Sequence, residues 1–200
     1  MKTPETRLAE LVAARLCHDI GSPLSTLTAI MPQAAEPAAH ALLSETAVEL
    51  RQRHRLFCLC FGGGDELGWD DLAEALRGAP MAHRVRFAFG PGPRQLGAAT
   101  GRLLLAAALL AAESLPRGGE VRLAQEDGAF LLRAEGRDQA WPEALLRLVG
   151  GGAMEPILAE GPRWVLSPWV VSLARAEFRE VSFLLPPGDG PPVLRIAAPA

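Results

Sequence analysis

Between Leu8 and Met31 the apolar residues return every three or four positions, at Leu8, Leu11, Val12, Leu16, Ile20, Leu24, Leu27 and Met31. That spacing is the signature of one apolar stripe on a long helix. Thr3-Pro4-Glu5 gives the helix its start: a hydroxyl to cap it, a proline suited to the first helical position, and an acid at the positive end of the dipole. Pro32 and Pro37 bracket a short turn. From near Pro37 a second helix carries Leu42, Leu43, Ala47, Leu50, Phe57 and Phe61 on one face until Gly62-Gly63-Gly64 stops it. Two such helices form a hairpin with half a core, so the pattern predicts a homodimer in which two hairpins make a four-helix bundle.

Beyond the glycines the pattern changes to short strands alternating with helices. Helices are predicted at Trp69–Leu76, Arg94–Leu115, Pro142–Val149 and Pro168–Phe178, and strands at Arg84–Phe89, Glu120–Gln125, Ala129–Ala134, Glu180–Leu185 and Val193–Ala197. Glu126-Asp127-Gly128 joins two of the strands as a hairpin. The fold class is therefore α+β: a helical hairpin over residues 1–64 followed by an α/β sandwich over 68–200. Gly62-Gly63-Gly64-Asp65 and Gly150-Gly151-Gly152 lack the Lys-Ser/Thr of a phosphate-binding loop and read as turns.

With 49% hydrophobic residues the chain has material for a core. Its net charge of −3, from 20 Lys and Arg against 23 Asp and Glu without a basic stripe, does not suit nucleic acid. The longest apolar run, Leu103 to Ala112, is too short to span a bilayer, and the first residues lack a signal-peptide core. A soluble cytoplasmic protein is expected. Cys58-Leu59-Cys60 lacks the two-residue gap of a zinc-binding pair, and His40 and His83 have no acidic or cysteine companions at ligand spacing. No intrinsic metal or cofactor is expected. His54 falls on the apolar face of the second helix and reads as a packed bundle histidine.

The stretch that carries chemistry is Ala14-Arg15-Leu16-Cys17-His18-Asp19-Ile20-Gly21-Ser22-Pro23-Leu24. At about 100° per residue the apolar stripe centres opposite His18, whose imidazole then faces solvent. Arg15, Ser22 and Ser25 fall on the same side and surround it with a small polar patch. Pro23 removes the helical hydrogen bond to the carbonyl of Asp19, at a cost of about 3 kcal/mol in a helix interior. The strain sits one turn from an exposed His-Asp pair.

His18-Asp19-Ile20-Gly21-Ser22-Pro23-Leu24 resembles the H-box of sensor histidine kinases, in which the phosphoacceptor His is followed by an acid and, five positions on, by Pro and an apolar residue. Ala14-Arg15-Leu16-Cys17-His18-Asp19 is similar in particular to the ChpT-type histidine phosphotransferases, whose dimers pair a kinase-like helical bundle with a degenerate ATPase-like domain of the Bergerat type. The resemblance implies that His18 accepts and donates the phosphoryl group through Nε2. It also implies partners: the receiver domain of a hybrid histidine kinase on one side and response regulators, of a cell-cycle relay, on the other, with the catalytic Mg²⁺ supplied by the receiver.

Against the kinases, the second half resembles an ATPase-like domain without its nucleotide boxes. The Pro-x-Gly-Gly turn survives as Pro116-Arg117-Gly118-Gly119, yet Ala106 and Leu110 stand where kinases carry metal-holding asparagines. Such side chains cannot ligate a hard cation. Gly136-Arg137-Asp138-Gln139-Ala140-Trp141-Pro142 replaces the adenine-binding Asp-x-Gly-x-Gly, and no later glycine-rich lid follows. The expectation is a relay phosphotransferase that neither binds nor hydrolyses ATP. Asp19 stands either to hold Nδ1–H of His18, to orient a partner's lysine, or as a plain solvated carboxylate, and Arg15 to neutralise the phosphoryl group. The alternatives are a divergent ATP-dependent sensor kinase and a non-catalytic scaffold that docks receivers.

Overall fold

The computed structural model describes residues 2–62, 66–186, 188 and 190–199. Two long helices, α1 (Pro4–Ile30) and α2 (Pro37–Phe61), form an antiparallel hairpin joined by a 3-10 turn at Met31–Gln33. The start of α1 follows from its first three residues: the Thr3 hydroxyl accepts from the Thr6 N–H at 3.3 Å, and Pro4 occupies the first helical position, where no donor is needed. Gly62 caps α2. Gly63, Gly64 and Asp65, read above as part of the turn between the two halves, lie outside the described residues.

The rest is built on a five-stranded sheet of order β2 (Val85–Phe89), β4 (Gly119–Glu126), β5 (Ala129–Glu135), β7 (Val193–Ala197), β6 (Glu180–Leu184). Only β2 and β4 run parallel, with α4 (Ala98–Glu113) as their crossover. Alternation along the central strands sends Val121, Leu123, Phe130, Leu132 and Ala134 inward, while Arg122 and Arg133 face out. Asp127 and Gly128, both at positive φ, make the two-residue turn between β4 and β5. The Pro116-Arg117-Gly118-Gly119 turn is dictated by space as well as φ: a Cβ at Gly118 would strike the carbonyl of Arg84, and one at Gly119 the carbonyl of Glu135.

Over the inner face lie α4 and α7 (Leu166–Ala176), with α5 (Glu143–Val149) against α7. Every residue from Leu103 to Ala112 is buried, which is why this helix is apolar on all sides rather than amphipathic. The base of the hairpin enters the same core through Leu56, Phe57 and Cys60 of α2, which packs on α4. The first turns of α1 instead bury Leu8, Leu11 and Val12 against Leu158 and Val165, beside α6 (Glu155–Ala159). Gly78, after α3 (Trp69–Leu76), lets that loop touch α2, since a Cβ there would fall on the backbone of Gln52.

One expectation needs correction. The segment 94–97 is not helical: Gln95–Leu96 forms a strand, β3, paired antiparallel with β1 (Leu67–Gly68), and Gly97 caps a helix that runs only from Ala98 to Glu113. The pairing removes these residues from the helix despite their apolar neighbours. Short α6 and a 3-10 turn at Pro162–Trp164 lie between α5 and α7, where the sequence pattern assigns no element.

Candidate functional site

His18 projects from the solvent side of α1, with 82% of its side chain exposed. Its Nδ1 lies 2.9 Å from Oδ1 of Asp19. A carboxylate only accepts, so Nδ1 is the donor in this contact, and in a neutral ring that leaves the lone pair on Nε2. Asp19, by contrast, is 12% exposed. Its Oδ2 accepts from Nε of Arg15 at 2.7 Å, one helical turn back.

Arg15 then reaches across to the sheet-bearing part of the chain, where its Nη2 donates to Oε1 of Glu113, the last residue of α4, at 3.0 Å. The four groups form an unbroken line: Glu113, Arg15, Asp19, His18. Burial works against the Arg15 cation, but the acids on either side outweigh it and leave its pKa raised. Burial likewise pushes the Glu113 carboxyl up, against the pull of Arg15.

The carbonyl that Pro23 leaves without a donor has found one. Arg53 of α2 donates from Nη1 to the oxygen of Asp19 at 3.2 Å. Pro23 itself is buried, and the proline and the arginine together replace one backbone hydrogen bond by an interhelical one. Beside them an open cleft of about 430 Å³ is lined by His18, Asp19, Ser22, Arg53 and, from the loop after α3, Pro80 and His83. A second cleft, about 330 Å³, meets His18 from the other side and is lined by Arg15, Asp19, Pro162 and Arg163. The Arg163 guanidinium rests 4.8 Å from the centre of the Trp164 ring and makes no ion pair among the described residues.

Of the residues singled out from sequence, His18, Asp19 and Arg15 come together, and Ser22 lines the cleft beside them. Ser25 is exposed, but its hydroxyl donates to the Gly21 carbonyl at 2.8 Å and is turned to its own helix. Arg15 is held on both sides by carboxylates and also lines the second cleft beside His18. His54, read as packing in the dimeric bundle, is exposed in the single chain and lies 3.6 Å from the Cys58 sulfur. Ala106 and Leu110 are fully buried. Sequence reasoning missed Glu113 and Arg53, whose partners lie 98 and 34 residues away, and Arg163, which lines a cleft with His18 from another element; no local spacing marks them.

A family model described as the histidine phosphotransferase C-terminal domain matches residues 69–186. No curated protein matches. Among solved structures, a bacterial phosphotransferase is similar over 98% of both chains at 24% identity, with a TM-score of 0.79, which is a shared fold from end to end. The histidine kinase domain of a blue-light-activated kinase from Erythrobacter litoralis aligns over 96% of this chain and 93% of its own at 14% identity, with a TM-score of 0.42. An Acinetobacter baumannii histidine kinase, AdeS, aligns over 90% and 95% at 14% identity and 0.39. Those two superpose too loosely to bear on the site.

Proposed function

The chain belongs to the histidine phosphotransferase family, and we propose that His18 is its phosphoacceptor, relaying a phosphoryl group between the aspartates of two receiver domains. The observation that carries this is the exposed imidazole whose Nδ1 is tied to Asp19 at 2.9 Å, with Nε2 open to solvent. In the forward step Nε2 attacks the phosphorus of a receiver's aspartyl phosphate in line. The Nε2–P bond forms, the P–O bond breaks, and its electron pair returns to the receiver's carboxylate. The ring gains positive charge, with its Nδ1–H facing the Asp19 carboxylate. A second receiver reverses the step. Mg²⁺ is expected to come with the receiver.

Arg163 is the cation available to the phosphoryl oxygens, because it lines the cleft at His18 while Arg15 is occupied by two acids. Two hairpins pair into a four-helix bundle in this reading. Its support is the exposed apolar surface at the far end of the hairpin: Leu24 (49% exposed), Met31 (58%), Leu42 (44%) and Val48 (45%). The chain is read as two units, 1–64 for dimerisation and transfer and 68–200 as the ATPase-like unit. Buried Ala106 and Leu110 support a chain that does not use ATP, since neither side chain offers oxygen to a metal or phosphate. The partners are a hybrid kinase's receiver and cytoplasmic response regulators.

The test is phosphotransfer profiling against phosphorylated receivers, with His18→Ala as control. Wild type is expected to take up acid-labile label and the variant none, and uptake by the variant overturns the assignment. Labelled ATP alone is expected to leave the chain unlabelled; autophosphorylation would make it a kinase.

A further inference from the structure

We propose that Glu113 is a positioning residue for the transfer reaction: through Arg15 and Asp19 it holds His18 in the Nδ1–H form whose Nε2 is the nucleophile. The inference rests on the reading of His18 as the phosphoacceptor. It gives the sheet-bearing part of the chain a task at the reacting atom that needs no nucleotide.

The contacts form a chain without a gap. Arg15 uses different nitrogens for its two acids, Nε for Asp19 at 2.7 Å and Nη2 for Glu113 at 3.0 Å, so its planar head is gripped on two sides. Asp19 likewise uses different oxygens, Oδ2 for Arg15 and Oδ1 for His18. Without Arg15 the short Asp19 side chain is free to rotate away from the ring. Without Glu113 the long Arg15 side chain loses the one hydrogen-bonded anchor outside its own helix among the described residues.

The placement of Glu113 shows that the contact is not incidental. A carboxylate in the last turn of a helix faces the negative end of the dipole, and Glu113 is also half-buried at the end of a helix otherwise apolar from Leu103 to Ala112. Its carboxyl is pushed up by that burial. Partly buried ion pairs return little net stability once desolvation is counted. What this one does supply is direction: α4 is fixed in the core, the next residue Ser114 is buried and donates to the Ala111 carbonyl at 2.6 Å, and the Gly118-Gly119 turn locks the segment that follows. Glu113 is thus a rigid stop against which Arg15 and Asp19 are set. A neutral ring with its proton pinned on Nδ1 keeps the lone pair on the exposed nitrogen.

The readout that separates positioning from simple packing is the tautomer of His18. In the full-length chain with ¹⁵N-histidine, four ring systems are present, and His18 is assigned by difference from His18→Ala. Wild type is expected to show His18 in the Nδ1–H form. Glu113→Gln is expected to shift it toward the mixed tautomers of a free imidazole and to slow transfer from a phosphorylated receiver about tenfold, the loss typical when an orienting partner is removed. Glu113→Asp should recover part of both. Arg15→Gln breaks the chain from the other side and serves if Glu113→Gln does not fold; the double variant should transfer no more slowly than Arg15→Gln alone. An unchanged tautomer and rate in a folded Glu113→Gln or Arg15→Gln chain overturns the role of Glu113 while leaving His18 as acceptor. A wild-type chain that takes up no phosphoryl group instead removes the reading of His18 on which the role depends.

Discussion

Replacing Arg53 by leucine isolates one hydrogen bond that the fold needs because of one residue elsewhere. Pro23 has no N–H, and Nη1 of Arg53 stands in as donor to the Asp19 carbonyl at 3.2 Å. An unpaired part-buried carbonyl costs about 1–3 kcal/mol. Two features place Arg53→Leu at the low end of that range: the carbonyl's residue borders an open cleft that admits water, and the leucine removes the Arg53 Nε, a buried donor that has no partner. The expected loss is therefore about 1 kcal/mol, or roughly 2–4 °C in a chain of this size. The same substitution in a Pro23→Ala background should cost close to nothing, because the alanine brings its own N–H to the carbonyl. The coupling between the two sites is thus about 1 kcal/mol, well outside the scatter for independent positions. Urea unfolding of wild type, the two single variants and the double variant, followed by circular dichroism at one protein concentration, measures it. Equal losses from Arg53→Leu in both backgrounds would refute the substitution of one donor for the other.

Leu24→Glu places a charge in the exposed apolar stripe and is expected to convert the dimer to monomer by light scattering, with the sheet-bearing part still folded. Gly78→Ala drives a methyl group onto the backbone of Gln52 and should destabilise the chain by about 1–3 kcal/mol in urea unfolding, the cost of overpacking. Arg163→Ala should slow phosphotransfer about tenfold, near the worth of one charge-assisted hydrogen bond, without moving the melting temperature. Because burial raises the Glu113 carboxyl, its protonated form favours the folded chain. That contribution is complete below the ordinary carboxylate range and is lost as pH rises through the raised value, so a plot of urea midpoint against pH should carry a downward contribution that Glu113→Gln removes.

What sequence could reveal here is what short spacing encodes. The stripe from Leu8 to Met31, the Thr3 cap and the prolines at 4 and 37 locate both helices of the hairpin, and the angular position of His18 gives its exposure. Asp127-Gly128 marks the β4–β5 turn for the same local reason. The apolar face of α2 is only partly covered within the chain: Leu56, Phe57 and Cys60 reach the core, while His54 and residues nearer the middle of the helix remain at the surface. Gln95 and Leu96 were drawn into a helix because their pairing partners, Gly68 and Leu67, lie far back in the chain. The same distance hides the site's supports. His18 and Asp19 are neighbours and legible; Glu113 reaches Asp19 only through an arginine it meets after folding. Pro23 announced a missing donor, but nothing near it names Arg53.

The uninterrupted burial of α4 has a consequence during synthesis. Its ten apolar residues, Leu103 to Ala112, leave the ribosome before β4, β5 and α7, the elements that follow it in the chain and against which it must pack. At about 5–20 residues per second the chain up to the end of α7 arrives several seconds later. Until then α4 has α2 as a partial cover on one side and a sticky, uncharged surface elsewhere. A nascent chain of this kind is a natural client for a holding chaperone, and truncation between α4 and α7 is expected to yield aggregates rather than a smaller folded unit.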